Sequence, residues 1–296
     1  MSEILLYNRE KQSLEKEVVS GKKLLKFMYS SKVGLKLTNK VLKKKAFSTI
    51  YGNLFKKEYS KSKIASFIKE HNINVSEIEG TLEQFNSFNE FFIRKLKPSA
   101  RPLNLEQNIF ISPADARLIV YPINEDLIIP VKGINFTIQA LFKNESLVEK
   151  YKNGLCMVFR LAPADYHRFC YMDEGEHSKA LSIGKYLHSV NPYALEQNLP
   201  VFTENIREYC ELKTKNFEEL MFMEVGALGV SKIVQNYPNG TNFVKGQEKG
   251  YFEFGGSTII VLVKQNIIKI DTDIADYSSV GIETLVKYGS SIAKRF

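Results

Sequence analysis

The chain is predicted to be an α+β protein, with a basic helical N-terminal region followed by a mostly antiparallel β domain. Three observations predict it. Apolar residues recur at three- and four-residue spacing in "KIASFIKEHNI" and "FNEFFIRKL", the period of a helix with one buried face. From about residue 110 the texture changes to β-branched and aromatic runs punctuated by Gly, Pro and Asn. Charge changes with it. Residues 1–100 carry 20 Lys and Arg against 10 Asp and Glu, whereas the remaining 196 carry 21 against 23. A length of 296 residues with 44% hydrophobic content allows one large domain or two modest ones with an ample core. The boundary is expected near residue 100, giving a helical, membrane-associating region of 1–100 and a β-rich domain of 101–296.

The elements follow in order. "MSEILLYNREKQSLEKEVV" alternates charged and apolar residues and has no signal-peptide core. Between Glu17 and Glu58 stand eleven lysines and no acid. "KKLLKFMYSSKVGLKLTNKVLKKKAF" interleaves Leu, Phe, Met and Val with those lysines, the pattern of a segment lying in an interface. A solvated helix face, an anionic lipid surface and nucleic acid all fit a basic stretch. The lack of arginine and of any nucleic-acid motif favours lipid and argues against nucleic acid. Pro98 and Pro102 end the helical pattern. Strands are expected in "ARLIVYPI", "LIIPVKGINFTI", "GLCMVFRLAP", "MFMEVGALGVSKIV" and "STIIVLV", with a short helix in "ALFKNESLVEKY" and a hairpin turn at Asn239–Gly240. No apolar run approaches the roughly 18 residues that span a bilayer, so a soluble or peripheral protein is expected. Three cysteines, Cys156, Cys170 and Cys210, are an odd number without CxxC spacing. Neither a disulfide framework nor a metal site is indicated, and a reducing, cytosolic compartment fits.

Four histidines are candidates for chemistry. His71 reads as a surface residue of a helix, and His177 as part of a polar loop. His188, in "YLHSVNP", can face either way. His167 lies in "RLAPADYHRFCYMDEG", just after a buried-looking strand, with Asp165, Tyr166 and Arg168 beside it, which suits a general base. A structural histidine fits the same spacing. Asp115, in "ISPADARLIV", is either a turn-capping carboxylate or a buried acid that orients an imidazole. "GYFEFGGSTIIVLV" breaks an apolar run with two glycines, a mark of a bulge or a close backbone approach. Ser257 is not in a GxSxG elbow, because Ile259 stands where the second glycine would be. It is a strand serine after a bulge, or a nucleophile toward its own preceding carbonyl, that of Gly256. Glycine leaves that approach open. A base and oxyanion donors would be required, and β-elimination of the resulting ester would lead to a pyruvoyl group.

Several ordered motifs carry a resemblance: "FNEFFIRKLKPSARPL", "SPADARL", "VKGINFTIQALF", "FRLAPADYHRF", "VGALGVSKI" and "KGQEKGYFEFGGSTIIVLV". From about Phe88 to the C-terminus the sequence resembles the phosphatidylserine decarboxylase family. The resemblance implies self-cleavage between Gly256 and Ser257, giving a β chain of residues 1–256 and an α chain of 257–296 that stay associated. It implies a pyruvoyl cofactor made from Ser257, which forms a Schiff base with phosphatidylserine and serves as electron sink for loss of CO2 to give phosphatidylethanolamine. By motif position it assigns Asp115, His167 and Ser257 to a Ser–His–Asp arrangement, with His167 deprotonating Ser257 and Asp115 orienting His167. It also implies a peripheral protein on the cytoplasmic side of the cell membrane, facing anionic phosphatidylserine, and leaves a homodimer open. Two positions depart from the family pattern. Cys170 stands where many members carry a second histidine, and Gly255 where many carry a bulkier residue. The alternatives are a pyruvoyl decarboxylase of another serine-headed lipid or of a free amino acid, and a homologue that only binds anionic lipid without cleaving.

Overall fold

The computed structural model of the chain describes residues 4–17, 27–28, 31–126, 128–131, 134–144, 149–189, 201–229, 232–255 and 257–296. Among these, nineteen strands, numbered along the chain, fall into four sheets. The main sheet runs Thr241–Phe243 (β14), Gly175–His177 (β9), Arg207–Thr214 (β11), Glu219–Gly226 (β12) and Ser257–Val263 (β16). It continues through Leu155–Leu161 (β7), Ala116–Pro122 (β4), Glu283–Val286 (β18), Leu5–Asn8 (β1) and Ser13–Lys16 (β2), with Leu181–Ile183 (β10) added beside β11. Two three-stranded sheets accompany it: Ile233–Gln235 (β13), Glu248–Phe252 (β15) and Arg168–Cys170 (β8), and Ile268–Ile270 (β17), Ser291–Arg295 (β19) and Ile109–Ile111 (β3). Ile128–Val131 (β5) and Ile134–Thr137 (β6) pair as a hairpin. Within the main sheet only β1 with β18 is parallel.

The uninterrupted apolar run of β16 has a simple cause. All seven of its residues are buried, because the strand lies between β12 and β7 and both of its faces are covered. Ile259, Val261 and Val263 join Phe159, Phe222 and Phe169 in the core toward the small sheets. Ile260 and Leu262 join Met221, Met223 and the helix Ile138–Phe142 on the other side. Burying each such side chain contributes about 1.5–3 kcal/mol, so the register of β16 is strongly held.

The helical region forms its own cluster. Ile64, from the helix Lys63–His71, packs with Phe88, Phe91 and Phe92 of the short helix Phe88–Phe92. Phe254, from the β domain, completes this cluster against Phe55 at 4.1 Å between ring centroids. Ser87 caps the short helix by accepting from the Glu90 N–H. That helix is shorter than the "FNEFFIRKL" pattern suggests, since the chain turns away to pair Ile78 with Leu96.

Three further expectations are corrected. The N-terminus is not helical at residues 5–16: it is a β-hairpin whose first strand adds to β18, so it belongs to the main sheet. The turn at Asn239–Gly240 exists, with Gly240 at φ +91, but joins no hairpin. Strand β13 before it pairs with β15, whereas β14 after it pairs with β9. In "ALFKNESLVEKY" helix covers Ile138–Phe142 and a 3-10 turn covers Glu149–Tyr151, and residues 145–148 lie outside the described residues.

Candidate active site

The broken strand "GYFEFGGSTIIVLV" is two strands in two sheets. β15 belongs to a small sheet and β16 to the centre of the main one, and residues 253–256 connect them. The connection is gripped on its N-terminal side. The Phe252 N–H donates to the His167 carbonyl at 2.9 Å and the Glu253 N–H to Lys232 at 3.0 Å. The Phe254 N–H donates to Asn89 Oδ1 at 3.0 Å, and Lys56 pairs with Glu253 at 2.7 Å. Gly255 has φ +141, a conformation that side chains resist. Glycine at position 255 therefore eases this corner. Gly256, the residue expected before the scissile bond, lies outside the described residues.

Ser257 opens β16, opposite Gly226 of β12 on one side and Leu161 of β7 on the other. It is fully buried, as is His167. Ser257 Oγ lies 3.4 Å from His167 Nδ1. The other ring nitrogen, Nε2, lies 3.1 Å from the Ala162 carbonyl. A carbonyl only accepts, so Nε2 bears the hydrogen and Nδ1 turns a lone pair toward the serine hydroxyl. The ring stacks on Phe92 with centroids 3.9 Å apart. Burial first, and then the Arg94 guanidinium, push the His167 pKa down to about 3. The imidazole is thus neutral, a base with its lone pair available.

Asp115 sits elsewhere. Its carboxylate takes a forked contact from Arg101, Nε at 2.8 Å to Oδ1 and Nη2 at 2.6 Å to Oδ2, and accepts the Tyr288 N–H at 2.9 Å. Both nitrogens of His167 are engaged by other groups, so the structure brings Ser257 and His167 together without a bond from Asp115 to the ring. Asp115 lines a cavity of about 350 Å3 between the helical region and the β domain, with Arg94, Arg101, Arg117 and Asp165.

The other histidines serve packing. His188 is held by Glu204 at Nε2 (3.1 Å), while its backbone is bonded to Asn205 and Leu228, which fixes the loop after Gly226. His177 is in strand β9 rather than a polar loop, buried against the Tyr171 hydroxyl at 3.3 Å. His71 is packed on Phe67 rather than free on the surface. The three cysteines are free and buried. Cys170 belongs to the core behind β16, and burial pushes its thiol up to about 12.

Comparison with known proteins decides the lineage. A family profile for phosphatidylserine decarboxylase matches residues 88–294. The chain belongs to the phosphatidylserine decarboxylase family. It is similar to a phosphatidylserine decarboxylase proenzyme of Clostridium tetani, 45% identical over 294 residues and 99% of each chain. A phosphatidylserine decarboxylase proenzyme of Clostridium botulinum (strain Langeland) is 44% identical over 293 residues, again 99% of each. A third, from Clostridium beijerinckii, is 42% identical over 293 residues with the same coverage. The profile includes Ser257, His167, Asp115, Arg101 and Tyr288, and the relatives extend the likeness through the basic N-terminal region.

Sequence reasoning had found Ser257, His167 and Asp115 by motif position. It missed Arg101 and Arg117, whose partners lie further along the chain: Arg101 and Asp115 are 14 residues apart and Arg117 and Asp165 are 48. The one available signal was Asp165, two residues from the histidine.

Proposed function

We infer that this chain, a carboxy-lyase of the phosphatidylserine decarboxylase family, is a proenzyme that cuts itself before Ser257. The observation carrying this reading is the buried contact between Ser257 Oγ and the unprotonated Nδ1 of His167. His167 takes the hydroxyl proton, and Oγ attacks the Gly256 carbonyl, moving the acyl group from nitrogen to oxygen. Loss of the Ser257 α-proton then breaks the Cβ–O bond, leaving Gly256 as a carboxylate and residue 257 as dehydroalanine. Water releases ammonia and a pyruvoyl group remains. The site suits such a group: a buried strand terminus beside a neutral imidazole, with glycine at the facing position 226. Once formed, the pyruvoyl group supplies a covalent electron sink for loss of CO2 from phosphatidylserine, giving phosphatidylethanolamine. His167 is then placed to return a proton to the product.

The two products are held together after the cut. β16 pairs along its whole length with β7 and from Ser257 to Leu262 with β12, and β18 and β19 pair with β4 and β3. Asp115 adds a cross-link, since Arg101 belongs to one product and Tyr288 to the other. In this reading Asp115 acts at the seam rather than on the ring.

No helix among the described residues is long and apolar enough to cross a membrane. Substrate is instead met at a surface, on the cytoplasmic side. Val33, Leu37, Val41, Ile50 and Leu54 are exposed among exposed lysines 36, 40, 44 and 45, a combination that favours anionic lipid. The test is the intact mass of purified protein under denaturing conditions. Two chains split after residue 256, with the smaller one lighter by an ammonia, are expected. A single stable chain in the presence of phosphatidylserine vesicles would overturn the reading.

A further inference from the structure

The cavity of about 350 Å3 between the helical region and the β domain is lined by neither Ser257 nor His167. Its walls come from the turn after the helix Lys63–His71, from Arg94 and Leu96, and from the start of β4. The turn at residues 164–166 and the end of β18 complete them. Cations and carboxylates are mixed in this lining, and most of them satisfy one another. Arg101 is paired with Glu77 and Asp115. Arg117 is paired with Glu17 and Asp165, and Lys287 with Glu10.

Arg94 is the exception. It is 4% exposed, yet among the described residues its hydrogen bonds go to backbone carbonyls alone. Nη2 donates to Ala164 at 3.0 Å and to Asp165 at 3.5 Å, and Nη1 to Phe91 at 3.4 Å. Nε is buried with no acceptor. One bond of ordinary length thus serves a group with five donors. Burial lowers its pKa to about 10, with Asp115 and Asp165 acting the other way, so the side chain stays a cation at neutral pH. Arg207 shows how this fold satisfies a buried arginine by carbonyls alone. Its three nitrogens donate to the carbonyls of Leu141, Thr203, Asn205 and Ala140 at 2.7–3.2 Å. Leaving a buried cation less well served is costly, so the state of Arg94 is not explained by stability.

A planar guanidinium with donors to spare, on the wall of a cavity, suits an oxyanion whose oxygens match its fork. Phosphate presents oxygens in several directions, which fits a space reached by Arg94, Arg101 and Arg117 from separate segments. A halide ion cannot use the fork. We propose that this cavity binds a small phosphate-type oxyanion, with Arg94 as its principal cation. The same chemistry is found in free inorganic phosphate and in the phosphodiester of a phospholipid headgroup. The proposal goes beyond self-cleavage and holds for a chain that never cleaves.

The test therefore uses full-length Ser257→Ala chain, titrated calorimetrically with inorganic phosphate and, separately, with glycerophosphoserine, at constant ionic strength in chloride. In parallel, 15N-labelled arginine reports the Nε–H signal of Arg94. Saturable binding of one ion per chain that moves this signal is expected. Arg94→Met should weaken it about tenfold or more, the scale of a lost hydrogen bond to a charged group. Arg94→Lys keeps the charge without the fork and should weaken it roughly threefold, which decides the matter if Arg94→Met does not fold. Tighter binding of glycerophosphoserine than of phosphate assigns the cavity to a lipid headgroup, and the reverse order to a free anion. No saturable binding of either probe overturns the proposal. So does binding that both Arg94 variants leave unchanged, or that chloride displaces as well as phosphate does.

Discussion

The strand Ser257–Val263 and the helices Lys32–Leu37 and Lys45–Phe55 draw on similar apolar residues, and the fold treats them in opposite ways. Every residue of the strand is buried, while Val33 is 70% exposed, Ile50 65% and Leu54 46%. The strand has a neighbour on each edge and a core on each face. The helix Lys45–Phe55 instead buries its small residues Ser48 and Gly52, where Ser48 meets the Gly229 N–H, packs Phe55 on Phe254, and leaves Ile50 and Leu54 outside. That inverts the usual amphipathic arrangement, in which the apolar stripe faces the core. Apolar content alone does not set burial; the number of neighbours does. One region holds the Ser257 hydroxyl away from water, and the other leaves apolar side chains exposed among lysines.

The most severe way to break the comparison acts on the buried region. Ser257→Ala is expected to leave one uncleaved chain with no CO2 release from phosphatidylserine, read by denaturing gel and mass; a cleaved, active variant would end the mechanism. His167→Ala should slow self-cleavage by about two to four powers of ten, the range for loss of a general base. Normal cleavage would hand the role to another group. In the exposed region, replacing Ile50 and Leu54 together by serine should weaken binding to phosphatidylserine vesicles by about tenfold or more, given the worth of a buried aliphatic side chain. Cleavage should be untouched, and unchanged binding would move the lipid surface elsewhere.

Smaller effects sharpen the contrast. Cys170→His puts a larger polar ring into the packed core behind β16, and should cost about 1–3 kcal/mol by overpacking while leaving cleavage intact. A chemical denaturation series with a cleavage gel checks both. The pH dependence should be the weakest effect. With the His167 pKa lowered from 6.5 to about 3, the folded base stays neutral, so the cleavage rate should be flat from about pH 5 to 8. The sign for stability follows from the same shift: the unfolded chain binds the proton more tightly. The stability contribution is therefore fully present above pH 6.5 and is lost as pH falls toward about 3. A rate that halves near pH 6.5 would show a base open to water.

The order of helices, the change to strands and the central apolar strand were legible because they rest on local periodicity and turn residues. The pairing of Ser257 with His167 was legible through ordered motifs, whereas the place of Asp115 beside Arg101 was not. The N-terminal hairpin was not, since residues 5–16 have no local pattern that reveals an edge strand completed by β18. Nor was the sheet switch between β15 and β16, because a pair of glycines marks a corner without saying which sheets it joins. By itself the sequence determined the chemistry available at residue 257 and the basic, apolar character of the first hundred residues, both properties of side-chain type and neighbouring backbone. Only the tertiary structure decided which nitrogen of His167 faces the serine, that Asp115 binds Arg101 instead of the ring, and that Glu17 reaches Arg117. Those facts depend on contacts between residues far apart in the chain, and sequence spacing carries no information about such distances.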